Sequence, residues 1–297
     1  MAFSNLQALS NEYAALVEQV SKSVVRVDAR HRIAGTGIVW SADGVIVTAD
    51  HVVEREEGIE VLTPGGETVK AELIGRDPNT DVAALRISAS GLTAADWTPP
   101  AELKAGHLAF ALGKPWDNTP IVSGGIVSAV GVGMRGHGRN GFVQSDVVML
   151  PGFSGGPLVD AGGRVIGMNS SVLGRGVSLA VPVEAMKRVV GDLLKEGRVR
   201  RPYLGVGLQV VPLASSLSAK AGGQERALMI LTIESGGPAE QSGLLPGDIL
   251  LSAAGKALQD THDLQHALTP DNVGQTVTLS VVRGGEIKSI GVKVGSK

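Results

Sequence analysis

Apolar residues near the start of the chain recur at Phe3, Leu6, Leu9, Tyr13, Leu16, Val17 and Val20. That is the spacing of one helix face, and it predicts an amphipathic helix over residues 1–22. From residue 23 the period shortens. Aliphatic and β-branched runs alternate with turn residues in SVVRVDA, GTGIVWS, GVIVTA, IEVLT, VKAELIG and DVAALRI, and again in HLAFALG, GGIVSAVGV, GFVQSDV, GPLVD, RVIGMNS and GVSLAVP. Short strands at this spacing predict a sandwich or barrel. A helical run, VEAMKRVVGDLLKEG, follows them. The charged stretch KEGRVRRP, residues 195–202, ends on proline and reads as an exposed linker. The first domain is therefore placed at 23–194 and a second at 203–297. In the second, YLGVGLQVV, ALMILTI, ILLSAAG and the pair QTVTLSVVRGGEIKSIGVKV read as strands, and DTHDLQHALT as a helix beginning after Gln259.

Composition supports this picture and narrows the functions. A chain of 297 residues suits two domains. Its 41 glycines are about twice the usual share of roughly 7%, and only 3% of residues are aromatic, which favours turns joining aliphatic strands. A net charge of −2 gives no basic footprint for phosphate, so nucleic acid is not expected as a partner. The absence of cysteine removes disulfide and thiolate chemistry and leaves the compartment open. The first twenty residues lack the basic start, continuous apolar core and cleavage site of a signal peptide, and no run is long enough to span a bilayer. As written the chain reads as soluble and cytoplasmic, or as extracytoplasmic if an export segment has been removed.

The segment VVMLPGFSGGPLVD raises the question of chemistry. Its glycines, Gly152, Gly155 and Gly156, suit a tight turn between strands. They equally suit a nucleophile at Ser154, because the amides of Gly152 and Ser154 could converge on an oxyanion where no side chain intervenes. A nucleophilic serine needs a base and a group to orient it. Of six histidines only His51 closes an apolar strand, GVIVTADHVV. Asp81 enters another apolar strand after a turn-rich loop, whereas Asp77, beside Pro78, reads as a turn residue. The order His51, Asp81, Ser154 is that of the chymotrypsin arrangement.

With GTGIVW, VTADHVV, NTDVAALRI, SGGIVSAV, GFSGGPL and GMNSS in the first domain, and YLGV and GPAEQSGLLPGDILLSAAG in the second, the chain resembles the HtrA (Deg) family of trypsin-like serine proteases. The resemblance implies a mainly β protein, a chymotrypsin-like double β-barrel followed by a small α+β PDZ domain. It implies His51 as general base, Asp81 as its orienting carboxylate, Ser154 as nucleophile, and Gly152 and Ser154 as oxyanion hole. It further implies an ATP-independent endopeptidase acting on unfolded or damaged proteins, without cofactor or metal, commonly as a trimer or a multiple of trimers. The alternative is a catalytically silent chaperone or peptide-binding protein on the same scaffold.

Phe153 departs from the family, which usually carries asparagine there. Either it packs inward and holds the oxyanion loop ready, or it favours a collapsed resting loop. Asp50, directly before His51, either points to solvent or raises the basicity of the imidazole. In the specificity loop Val172, Leu173 and Leu179 bring no acid, so cleavage after small aliphatic residues is expected. In the PDZ part Tyr203, Leu204, Gly205 and Val206 match the carboxylate-binding loop, and Leu204, Val206, Leu264 and Leu268 either line a pocket for an apolar C-terminal side chain or are ordinary core. Arg198, Arg200 and Arg201 read as solvated linker residues rather than carboxylate ligands. GVGMRG lacks the helix a dinucleotide fingerprint needs, and HDLQH, with His262 and His266, reads as a PDZ helix rather than a zinc motif.

Overall fold

The computed structural model describes residues 4–31, 33–98, 100–132, 141–174 and 176–296. Phe3, His137 and most of GVGMRG lie outside them. The first helix, α1 (Ser4–Ser21), has the expected amphipathic face. Tyr13, Leu16, Val17 and Val20 join a cluster with Val24, Phe110 and Val159, while Leu6 and Leu9 stay exposed.

Every run of alternating residues after it is a strand. Strands β1 (Val24–Asp28), β2 (Gly35–Ser41), β3 (Val45–Thr48), β4 (Ile59–Leu62), β5 (Thr68–Asp77) and β6 (Val82–Ile87) close a barrel in the order β1-β2-β3-β6-β5-β4. Strands β7 (Leu108–Gly113), β8 (Ile121–Val132), β9 (Phe142–Ser145), β10 (Pro157–Asp160), β11 (Val165–Ser170) and β12 (Ser178–Pro182) close a second in the order β10-β11-β12-β9-β8-β7. Closure removes the exposed edges that twelve short strands would otherwise leave. Helix α2 (Val183–Glu196) buries Met186, Val189, Val190 and Leu193 in a cluster that takes Ile38 and Leu85 from the first barrel and Met168 and Val181 from the second. It ends at Gly197, which adopts the left-handed conformation of a helix C-cap.

The chain divides into two compact units, 1–199 and 200–297. Lys195 and Glu196, read from sequence as linker, form the last turn of α2, and Pro202 already opens a strand. In the second unit β13 (Pro202–Tyr203), β14 (Val206–Pro212), α3 (Ser215–Lys220), β15 (Arg226–Ile233), α4 (Pro238–Gln241), β16 (Ile249–Ala253), β17 (Lys256–Ala257), α5 (Thr261–Ala267), β18 (Thr276–Arg283), β19 (Glu286–Lys293) and β20 (Gly295–Ser296) follow one another. The main sheet runs β14-β15-β16-β18-β19, and β13 pairs with β20. Helix α5 starts at a capping box in which Asp260 and Asp263 each accept from the other's backbone amide. The short α3 and α4 are additions to the sequence reading, since neither has enough turns to show a period.

Candidate active site

The site begins with a strand register. β3 and β6 are antiparallel neighbours with Thr48 opposite Ala83, so the end of one strand and the start of the other lie side by side. His51 sits in a single 3₁₀ turn, Asp50–Val52, just past β3, and Asp81 just before β6. Asp81 adopts φ 57°, a left-handed conformation that aspartate tolerates better than most residues. Its carboxylate is buried and fully engaged. His51 Nδ1 lies 2.9 Å from both carboxylate oxygens, the His51 backbone amide donates to Oδ1 at 3.0 Å, and the Ser170 hydroxyl donates to Oδ2 at 2.5 Å. Nδ1 carries the proton in this arrangement, because a carboxylate can only accept. In the neutral imidazole Nε2, on the far side of the ring, is then the acceptor.

Ser154 comes from the second barrel, in the connection between β9 and β10. Phe153 N donates to Leu150 O and Gly156 N to Phe153 O, so two successive β-turns frame the serine. Gly152 and Gly155 occupy their third positions with φ 87° and 85°, the type II geometry that glycine favours. Space demands glycine as well: an added β-carbon at Gly155 would stand 2.1 Å from Thr36 O, and one at Gly156 2.2 Å from Leu112 O. Both readings of the segment thus describe the same turns.

Thr36 anchors the loop from the first barrel. Its hydroxyl donates to Gly152 O at 2.7 Å and accepts from Lys114 N at 2.9 Å, while its amide donates to Ser154 O at 3.0 Å. Asn169 holds the other flank, accepting from Gly155 N and donating to Gly156 O. The amides of Gly152 and Ser154, by contrast, find no acceptor among the described residues. Phe153 is buried beneath them with Leu158, Ile166 and Val147.

The Ser154 hydroxyl lies 2.9 Å from that of Ser171, and Ser171 Oγ lies 3.4 Å from His51 Nε2. Ser171 is exposed just past β11. The roles of Thr36, Ser170 and Ser171 go beyond the sequence reading, where their segments served only as motifs; adjacent hydroxyls at the end of the apolar strand RVIGMNSS were the available signal.

Asp50 does not point to solvent. It is buried, and Arg76 donates from Nε to Oδ1 at 2.5 Å and from Nη2 to the Asp50 carbonyl at 3.2 Å, which holds the guanidinium above its usual pKa. Asp77 accepts from Asn79 N and Thr80 Oγ1, a turn role, and is buried as the last residue of β5. Leu173 and Leu179 lie in the hydrophobic cluster beneath α2, whereas Val172 is exposed.

Residues 35–168 match the Trypsin-like peptidase domain and residues 202–294 the PDZ domain. The "Probable periplasmic serine endoprotease DegP-like" of Pseudomonas fluorescens is 36% identical over 88% of this chain. The HtrA-type protease AlgW with tripeptide is 30% identical and aligns over 96% of this chain and 97% of its own at a TM-score of 0.78. The chain belongs to the HtrA family. A second DegP-like relative, from Ectopseudomonas mendocina, is 37% identical over 88% of the chain. The chain spans 56% of the length of each of these relatives. Among solved structures, the HtrA-type protease AlgW with decapeptide aligns over 96% of this chain and 98% of its own at 27% identity and a TM-score of 0.81. The serine endoprotease from Yersinia pestis aligns over 96% and 98% at 28% identity and 0.80. The fold is accordingly the double β-barrel of the HtrA proteases with a PDZ domain after it.

In the PDZ unit Leu204, Leu264 and Leu268 fall in one hydrophobic cluster with Val206 partly buried against it. Gly205 adopts φ 76° and its carbonyl accepts from Glu234 N, while the Tyr203 hydroxyl donates to the Glu234 carboxylate. The Leu204 and Gly205 amides meet no acceptor among the described residues. His262 and His266 share one face of α5 with their Nε2 atoms 2.6 Å apart, and no cluster of three metal-ligating side chains occurs among the described residues.

Proposed function

We propose that the chain is an ATP-independent serine endopeptidase that cleaves unfolded protein through an acyl-enzyme, with its PDZ domain recruiting peptide C-termini. The observation that carries the reading is the meeting of a carboxylate-held imidazole, Asp81 on His51 Nδ1, with a serine whose flanking Gly152 and Ser154 amides are unpaired among the described residues.

His51 Nε2 takes the Ser154 hydroxyl proton as Oγ attacks the scissile carbonyl, and Asp81 stabilises the imidazolium and fixes its tautomer. The developing oxyanion receives the Gly152 and Ser154 amides, which make no other hydrogen bond among the described residues. The imidazolium then protonates the leaving amine, and water repeats the sequence on the ester. Phe153 serves as the inward anchor of the loop. Val172, Leu173 and Leu179 bring no carboxylate to the specificity loop, so cleavage follows small aliphatic residues. In the second domain Tyr203, Leu204, Gly205 and Val206 receive a terminal carboxylate, and Leu204, Val206, Leu264 and Leu268 receive the last apolar side chain.

The periplasmic names of the relatives support work outside the cytosol. Assembly as a homotrimer or a multiple of trimers follows from the family, and an apolar groove lined by Tyr13, Val17, Leu108, Phe110, Val122 and Ile126, with Leu6 and Leu9 exposed on α1, is a surface such assembly would cover. Casein digestion tests the activity: wild type is expected to release peptides, and His51→Ala and Ser154→Ala to release none. Equal digestion by Ser154→Ala would overturn the assignment.

A further inference from the structure

The nucleophile and the base are linked only through a third side chain. Ser154 Oγ is 2.9 Å from Ser171 Oγ, which is 3.4 Å from His51 Nε2, and no direct Ser154–His51 hydrogen bond is formed. Each hydroxyl has one proton, and in the neutral imidazole, with Nδ1–H held by Asp81, Nε2 accepts. The proton directions follow. Ser171 donates to the imidazole, and Ser154 donates to Ser171. The acceptor lone pair that Ser154 needs is therefore occupied, and the proton it must give up faces the wrong oxygen.

We propose that Ser171 is a positioning residue that uncouples the triad at rest. This rests on the reading of Ser154 as nucleophile and deepens it. Ser171 is exposed beside the site, so a peptide entering over β11 displaces its hydroxyl; Ser154 then turns to donate directly to Nε2. No strand or core contact has to change. The restraint is one ordinary neutral hydrogen bond, so its removal is worth about five-fold in rate.

The test is the second-order rate of fluorophosphonate labelling, with kcat and KM on a peptide substrate, for wild type, Ser171→Ala, Ser171→Thr and Ser154→Ala as full chains. Ser171→Ala is expected to label about five-fold faster and to lower KM at unchanged kcat, because bound substrate has already displaced the hydroxyl. Ser171→Thr keeps the hydroxyl and is expected to return the rate toward wild type. A purely structural role would lower both the melting temperature and the rate of Ser171→Ala, and this outcome would overturn the proposal. A rate equal to wild type would overturn it too, and a rate at least ten-fold lower would make Ser171 a proton relay instead. Ser154→Ala separates the two readings: labelling that persists there removes the nucleophile assignment itself, whereas its loss alongside an unaccelerated Ser171→Ala removes only the restraint.

Discussion

Phe153 packs against Gly113: a β-carbon added at Gly113 would stand 2.6 Å from Phe153 Cδ1 and 3.2 Å from its Cα. Phe153, between Gly152 and Ser154, is thus seated on the last residue of β7, where only a hydrogen leaves room. Gly113→Ala should push the ring and the loop above it, at about 1–3 kcal/mol of stability and with a lower kcat. Phe153→Ala should leave a cavity costing about 3–5 kcal/mol. Urea denaturation alongside steady-state kinetics checks both; unchanged kcat in a folded Gly113→Ala would detach the loop from this contact.

Arg76 reaches across to Asp50 from β5 and pins the turn that presents His51. Removing the guanidinium leaves a buried carboxylate without its ionic partner. Arg76→Met should therefore cost more than an exposed ion pair would, about 2–4 kcal/mol, and should lower kcat with little change in KM. Thermal unfolding and a kcat–KM split measure the two effects.

Lys114 is buried beside the site, donating to Ser21 O at 2.9 Å and Asn118 Oδ1 at 3.0 Å, and burial lowers its pKa to about 8. The unfolded chain, with an ordinary lysine pKa near 10.5, binds more protons than the folded chain between pH 8 and 10.5. This group's contribution to folding therefore grows less unfavourable as pH rises through that window and is constant below it. Lys114→Met is expected to gain about 1–3 kcal/mol over wild type at pH 7, with the gap closing by pH 10.5. Urea unfolding of both proteins from pH 7 to 10.5 gives the difference; a gap independent of pH would contradict it.

The PDZ loop should read a terminal carboxylate. Peptides ending in a free apolar residue are expected to bind more tightly than the same peptides amidated, by about ten-fold or more, since the amide loses a charge-assisted contact to the backbone. Fluorescence anisotropy on matched peptides decides this, and equal affinities would contradict it.

The strands were legible because alternation survives in short segments: GTGIVWS is β2 and DVAALRI is Asp81 followed by β6. His51, Asp81 and Ser154 stood out as candidates because each stands at a strand end or in a glycine turn, places where a polar residue is informative. Asp50 was ambiguous because the partner that buries it, Arg76, is 26 residues away and only the barrel brings it near. Thr36, Ser170 and Ser171 were illegible as site residues for another reason. A hydroxyl within or beside a β-strand is an ordinary strand residue until its partner is known. The burial of Leu173 and Leu179 likewise reflects a cluster drawn from both barrels and α2, which no local pattern assembles.

Activation of Ser154 by His51 underlies the whole of the proposed reaction. Intact-mass detection of fluorophosphonate labelling on wild type, His51→Ala and Ser154→Ala, each with and without unfolded casein, tests it most directly. One adduct is expected on wild type, none on either variant, and faster labelling with casein. An unlabelled wild type under both conditions, or an adduct that survives Ser154→Ala, would contradict it.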